Sequence, residues 1–288
     1  MSASGGRSAV FIATVVAANQ LTEQSLVQAL PGAWAQVDGE DAVWRLVFDG
    51  DPAMARAALE ELEADIFVRA AAAPAPRLFV ADMDSTMITV ECIDELADYA
   101  GVKPQVAEVT EQAMRGELDF GASLRARVAL LRGLDESVLA RCQAERVRIM
   151  PGAKTLVRTL AARGVETVLV TGGFTWFAER TAAEIGFSAF HANQLNSADG
   201  KLVGTVSEPI LDADAKKAWL LHHAGGSPET AIAVGDGAND IPMITAAGFG
   251  IAYHAKPALA RAADAAVRFA DLTAILHGLG VPRSEWVA

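Results

Sequence analysis

From residue 78 onward, short unbroken apolar runs alternate with longer stretches in which apolar positions recur every three or four residues. The runs Leu78–Ala81, Thr167–Val170, Ala231–Val234, Phe249–Ala252 and Ala265–Phe269 predict strands buried on both faces. The stretches between them predict amphipathic helices. In "PGAKTLVRTLAARG", for example, Pro151 suits a helix start and Gly164 its end. Strand–helix–strand order of this kind predicts an α/β fold, a doubly wound parallel sheet covered on both faces. Residues 82–166 hold too much chain for one crossover helix. Helical patterns at Ile93–Ala100, Val106–Arg115, Gly121–Leu131 and Glu136–Arg146 predict a cap inserted after the first strand, at about 88–150.

Residues 8–70 follow a different pattern. It predicts a strand Ala9–Val16, a helix Thr22–Leu30, strands Trp34–Asp38 and Ala42–Phe48 about a turn at Asp38–Asp41, a helix Pro52–Ala64 and a strand Ile66–Arg69. That is a βαββαβ unit, giving a small α+β domain over 1–70. The proline-containing "AAAPAPR", residues 71–77, predicts a linker, and 78–288 the second domain. Arg7 before "SAVFIATVV" invites comparison with a secretory signal, but the amphipathic "LTEQSLVQAL" that follows favours a folded strand and helix.

Composition narrows the partners. Of 288 residues, 52% are hydrophobic and 21% charged, as in ordinary globular proteins. The formal charge of −12 argues against a nucleic-acid or anionic-membrane partner, which requires excess Lys and Arg, but not against a small anionic ligand in a local positive pocket. Two cysteines, Cys92 and Cys142, build neither a disulfide framework nor a zinc cluster, and no apolar run reaches the roughly 18 residues of a membrane span. The expected location is cytoplasmic. Phosphate-loop, dinucleotide-loop, H-E-x-x-H and C-x-x-C motifs are absent.

The chemistry gathers at strand ends. "VADMD" closes the first predicted strand, "VLVTGGF" the second, and "AVGDGAND" another. Ligands of open α/β sheets bind outside the carboxyl ends of the strands, so Asp82, Asp84, Thr171, Asp236, Asn239 and Asp240 are expected around one crevice. Singly, each reads as a turn or cap residue. Four converging carboxylates instead call for a hard divalent cation, and oxygen ligands suit Mg²⁺. A carboxylate beside such a metal can attack phosphorus, and a second can move the leaving group's proton. "TGG" offers a hydroxyl and open backbone N–H groups for phosphate oxygens, and the loop "LDADAKK" a lysine, although lysines there more often lie on the surface.

"DMDST", "TGG", the lysine of "DAKK" and "GDGAND" resemble the four ordered motifs of the haloacid dehalogenase superfamily of phosphohydrolases. "DMDSTMITVECIDELADYAG", "TEQAMRGELDFGASLRARVALL" and "VGDGANDIPMITAAGFGIAYHAKP" are similar to stretches of its phosphoserine phosphatase branch, in order over roughly 78–280. The resemblance implies Asp82 as nucleophile and Asp84 as general acid/base. It implies Mg²⁺ on Asp82, the Asp84 carbonyl and Asp236. Thr171, Gly172 and Lys216 would bind the phosphoryl group, with Asn239 and Asp240 completing the site, and Glu91 and Arg127 would take the amino and carboxylate groups of phosphoserine. It further implies the last step of serine biosynthesis, an ACT-like N-terminal domain and a small phosphomonoester as partner; a homodimer is left open. Two departures stand out: Thr171 where serine is usual, and Asp214 near Lys216, which is expected to weaken phosphate affinity slightly. The rival readings are a phosphotransferase or a phosphatase for another small phosphomonoester, and a catalytically inactive amino-acid sensor.

Overall fold

The computed structural model describes residues 10–19, 21–37 and 43–288; the turn expected at Asp38–Asp41 lies outside them. The N-terminal unit runs β1 (Val10–Ala17), α1 (Glu23–Ala29), β2 (Trp34–Val37), β3 (Val43–Asp49), α2 (Pro52–Leu59) and β4 (Ala64–Ala70). There follow β5 (Leu78–Ala81), the cap helices α3 (Cys92–Tyr99), α4 (Lys103–Met114), α5 (Phe120–Leu130) and α6 (Ser137–Glu145), then α7 (Ala153–Ala162), β6 (Glu166–Phe174) and α8 (Thr175–Ile185). The chain continues through β7 (Ala189–Asn193), β8 (Leu195–Ala198), β9 (Lys201–Val206), α9 (Ala213–Ala224), β10 (Ala231–Gly235), α10 (Ile241–Ala246), β11 (Phe249–Tyr253), α11 (Pro257–Ala262), β12 (Ala265–Val267) and α12 (Ala274–Gly278).

Every residue of β5, β10 and β11 is buried, as their unbroken apolar sequences require of strands covered on both faces. The order β12-β11-β10-β5-β6-β7 is parallel throughout. Chain direction across the sheet reverses at β5, since β6 and β7 lie on one side and β10 to β12 on the other. The carboxyl ends of β5, β6 and β10 therefore frame the crevice of a topological switch point.

Three strands escape the periodicity. In β7, "AFHAN", four of the five residues are only half-buried, so no apolar run marks this edge strand. The β8–β9 hairpin turns on Asp199 and Gly200, with φ +52° and +73°, an Asp-Gly signal that the sequence does contain. The second predicted strand also runs on, through Thr171 and both glycines to Phe174.

The sheet does not stop at residues 71–77. One ten-stranded sheet continues as β12-β4-β1-β3-β2, joined by an antiparallel pair between Ala266 and Ile66. The N-terminal unit keeps its own core, around Leu26, Leu46 and Leu59. At the seam, a Cβ on Gly278 would come within 2.4 Å of the Phe67 ring, so only glycine lets α12 approach β4 this closely. Buried Asp65 accepts hydrogen bonds from the backbone N–H groups of Arg268, Phe269 and Ala270 at 2.6, 3.1 and 2.9 Å. Asp65→Ala strips three amides of their acceptor and is expected to cost about 3 kcal/mol, with Asp65→Asn costing less. Chemical denaturation checks this; an unchanged midpoint for Asp65→Ala would show the seam to be held by apolar packing alone. Among the described residues no helix is long and apolar enough to cross a membrane.

Candidate active site

Asp82 leaves β5 with its N–H bound to the Val234 carbonyl of β10, which ties two strand ends together. The chain then turns tightly. Ser85 adopts φ +57°, an uncommon conformation for a residue with a side chain, while the N–H groups of Thr86, Met87 and Ile88 converge on the Met83 carbonyl. Beyond β10, the Asp240 carboxylate reaches back to the N–H groups of Asp236 and Gly237 at 3.2 and 3.1 Å. A Cβ on Gly235 would lie 2.5 Å from that carboxylate, so the glycine makes room for the bracing.

Lys216 lies in the first turn of α9, which Asp212 caps through the Ala215 N–H at 3.0 Å, and not in a loop as the sequence suggested. Its side chain is buried, with Nζ 2.7 Å from both Asp82 Oδ1 and Asp240 Oδ1. It is thus not a surface lysine. Asp214 is exposed and Lys216 buried; residues two apart on a helix do not face one another, so the expected effect of Asp214 on phosphate affinity has no structural basis.

A cavity of about 650 Å³ opens between these strand ends and the cap. Asp82, Asp84, Glu91, Arg127, Thr171, Gly172, Asp236 and Asn239 all line it. Lys216 does not; it stands beneath the floor, behind Asp82. Thr171 Oγ1 accepts the Gly173 N–H at 2.9 Å, which shapes the turn after the apolar part of β6. A Cβ on Gly172 would meet the tip of the Phe120 ring of the cap at 2.9 Å, so a larger residue there requires that ring to shift. From the cap side, Glu91 accepts the Ser85 hydroxyl at 2.7 Å. Arg127 is partly buried on α5, and its Nε donates to the Ser123 carbonyl at 3.4 Å.

Charge crowding sets the proton affinities. Burial, then the Asp240 charge, pushes Asp82 up to about 7 against the opposing pull of Lys216. Burial and Asp240 also raise Asp236 to about 6. Burial alone would lower Lys216, but the Asp240 and Asp82 charges override it and hold the ammonium protonated. Asp84 is raised well above the carboxylate range by burial, then by Glu91 and Asp82. Its Oδ1 is buried without a hydrogen-bond partner, while Oδ2 accepts the Cys92 N–H at 3.3 Å.

Asp82, Asp236 and Asp240 offer carboxylate oxygens within 4.8 Å of one another, an all-oxygen set fit for a hard divalent cation. Their roles in such a site separate by hydrogen bonding. Both oxygens of Asp240 are taken, by Lys216 and by the backbone. Asp82 Oδ1 already accepts from Lys216 and from the Met83 N–H at 2.8 Å, which leaves Oδ2. Among the described residues the Asp236 carboxylate accepts only a long 3.4 Å bond, from Thr86. Asp82 and Asp236 are therefore the carboxylates with oxygens to spare.

Sequence reasoning passed over four participants. Asp94 lines the cavity one helical turn from Glu91, a spacing visible in "ECIDE". Phe120 and Lys256 also line it. Asn193 clamps the turn at Gly172 to Leu211: its amide donates to the Gly172 carbonyl at 2.9 Å and the Leu211 carbonyl at 3.2 Å, and its carbonyl accepts the Leu211 N–H at 2.7 Å. A lone asparagine on an edge strand carries no pattern that would have singled it out.

The profile of the haloacid dehalogenase-like hydrolases matches residues 79–245, and a second profile of the same description matches 213–279. A phosphoserine phosphatase of Streptomyces coelicolor is 48% identical over 215 residues, covering 73% of this chain and 52% of its own length. The matched part is thus about half of that relative. A phosphoserine phosphatase of Idiomarina loihiensis is 48% identical over 202 residues, covering 69% of this chain and 91% of its own. The unliganded structure of a probable phosphoserine phosphatase from Vibrio cholerae superposes with a TM-score of 0.79 at 34% identity, covering 96% of this chain and 88% of that one. That likeness takes in the N-terminal unit as well as the parallel sheet.

Proposed function

The chain belongs to the haloacid dehalogenase-like hydrolases, and from that premise we propose that it hydrolyses O-phospho-L-serine to L-serine and phosphate through a phospho-aspartyl intermediate. The observation that carries the reading is the pairing, in one cavity, of the Asp82–Asp84 carboxylates with Arg127 and Glu91 at the cap side.

Asp82 Oδ2, the oxygen free of hydrogen bonds, attacks phosphorus; the new O–P bond forms as the bond from phosphorus to the serine oxygen breaks. Lys216 holds the other oxygen, Oδ1, and so orients the nucleophile. Asp84, biased toward its protonated form by burial, gives its proton to the departing serine oxygen, then takes one from the water that cleaves the acyl phosphate. Thr171, the backbone of Gly172, and Asn239 receive the phosphoryl oxygens. Mg²⁺ would be held by Asp82, the Asp84 carbonyl and Asp236, where it would neutralise crowded carboxylates and phosphoryl oxygens. Arg127 is suited to fork onto the substrate carboxylate and Glu91 to pair with its ammonium. The activity would supply serine as the last step of its biosynthesis in the cytoplasm, and the β1–β4 unit, by its βαββαβ order, is assigned as an ACT-like domain.

Phosphate release from a panel of phosphomonoesters with Mg²⁺, with and without small alcohols as acceptors, tests the reading. Phosphoserine should lead the panel, EDTA should abolish turnover, and alcohols should not divert the phosphoryl group. Turnover of none of the esters would leave the binding-only sensor. Arg127→Ala should weaken transition-state binding of phosphoserine by about 2–4 kcal/mol. Phosphoethanolamine, which lacks the carboxylate, should lose much less; equal losses in kcat/KM would make Arg127 structural.

A further inference from the structure

A second crevice, of about 510 Å³, lies over the seam where β4 meets β12, with α2 on one side and α11 on the other. Three arginines from three separate segments line it: Arg56 from α2, Arg261 from the last turn of α11, and Arg268 just after β12. In a chain of net charge −12 such a concentration of guanidinium groups is unexpected. Glu60 is the one carboxylate in the lining, and its Oε1 is already committed to Arg56 Nε at 2.7 Å. The nearby acids face elsewhere. Asp65 is spent on the amides of 268–270, and Asp264 Oδ2 accepts the Gly250 N–H at 2.7 Å.

Two of the three cations are held in place. Arg56 Nη1 donates to the Ala263 and Asp264 carbonyls, both at 2.6 Å, and Arg268 Nη2 to the Ala64 carbonyl at 3.0 Å. Each bond crosses the seam, so the N-terminal unit and the catalytic sheet jointly fix the guanidinium positions. The remaining N–H groups of a fixed guanidinium are donors awaiting acceptors. Arg261 is exposed and makes no hydrogen bond or ion pair among the described residues. Three guanidinium groups against one spent carboxylate leave two positive charges uncompensated around a floor formed by Ile66 and Ala266.

We infer that this seam crevice is a second anion site, separate from the catalytic cavity, which takes a compact phosphate-bearing ligand across the two units. Forked donors, two of them fixed, match a phosphate group better than a lone carboxylate, because three oxygens can be shared among three guanidiniums. The volume exceeds that of phosphate alone, and the apolar floor suits a small organic substituent. A ligand held by both units stabilises the native seam by mass action.

Equilibrium dialysis of the full-length protein with inorganic phosphate, and separately with methylphosphonate as a non-hydrolysable ester mimic, tests the assignment. Two phosphates per chain are expected, one in each site, and Arg261→Glu should bind one while its turnover stays unchanged. Arg261→Gln should weaken the seam site about tenfold. Arg261 has no hydrogen-bond or ion-pair partner among the described residues, so neither variant should alter the melting midpoint without ligand. Tighter binding of methylphosphonate than of phosphate assigns the site to phosphate esters; the reverse assigns it to free phosphate. If the catalytic reading fails instead, the wild type binds one anion and Arg261→Glu none. Wild-type and Arg261→Glu proteins with the same stoichiometry and affinity would overturn the inference.

Discussion

Asp82→Asn yields protein that is folded, carries no phosphoryl group after quenching with phosphoserine, and has lost activity by a factor on the order of 10⁴ or more. The amide cannot attack phosphorus, and neither neighbouring acid, Asp240 or Asp84, is free to replace it. Asp240 has both oxygens occupied and Asp84 presents a carboxyl biased toward protonation. Asp84→Asn separates the two acids. With phosphoserine, whose alkoxide leaves badly, removing the proton donor should cost roughly 10²–10⁴-fold. With p-nitrophenyl phosphate, whose leaving group needs little protonation, the loss should be smaller and a phospho-enzyme should still form. Mass spectrometry of quenched enzyme and rates on both esters give the answer. Label on Asp82→Asn, or equal losses on the two esters for Asp84→Asn, would reverse the roles.

The parts of this molecule that its sequence makes legible are those in which one physical cause acts alone. The strand β5 is read to the residue because it is wholly buried and its four apolar residues have no competing signal. Cap helices are read to within a few residues from periodicity alone, since each buries one face. Strand-end chemistry is legible because chain topology, independent of side-chain detail, brings those ends together. Legibility fails where two causes compete. The edge strand β7 is half exposed, and its histidine is taken up in stacking on Trp219 at a ring separation of 3.5 Å. The stretch 71–77 has a linker's composition, yet the strands on either side of it join one sheet. Buried Asp65, which helps weld that join, looks in sequence like any acidic residue before a strand. Lys216 is the sharpest case: "DAKK" gives two adjacent lysines, and only the helix phase shows that Lys216 turns inward and Lys217 outward.

Lys216→Met should therefore damage the fold as well as the chemistry. The lysine is the positive charge between Asp82 and Asp240, 2.7 Å from an oxygen of each, and all three are buried. Methionine fills a similar volume but leaves two carboxylates facing each other in a dry floor. Breaking a buried pair by removing one partner costs about 3–5 kcal/mol. The cost should depend on pH in a definite direction. Asp82 already stands at about 7 with Lys216 present, and removing the ammonium takes away the interaction that holds it down. Its folded value rises further above its unfolded one, so the folded variant binds more protons than the unfolded chain. Stability in EDTA must then fall as pH rises from the ordinary carboxylate range through the folded value, and the gap from wild type should be small near pH 5 and widest at pH 8. Turnover should drop by about 10²–10³-fold, because the nucleophile loses the donor that orients it and the phosphoryl group loses a fixed positive charge. Urea denaturation at several pH values, beside kcat on phosphoserine, tests both halves. A variant as stable as wild type at pH 8 would show that water reaches the Asp82–Asp240 pair, and that Lys216 serves the reaction without supporting the fold.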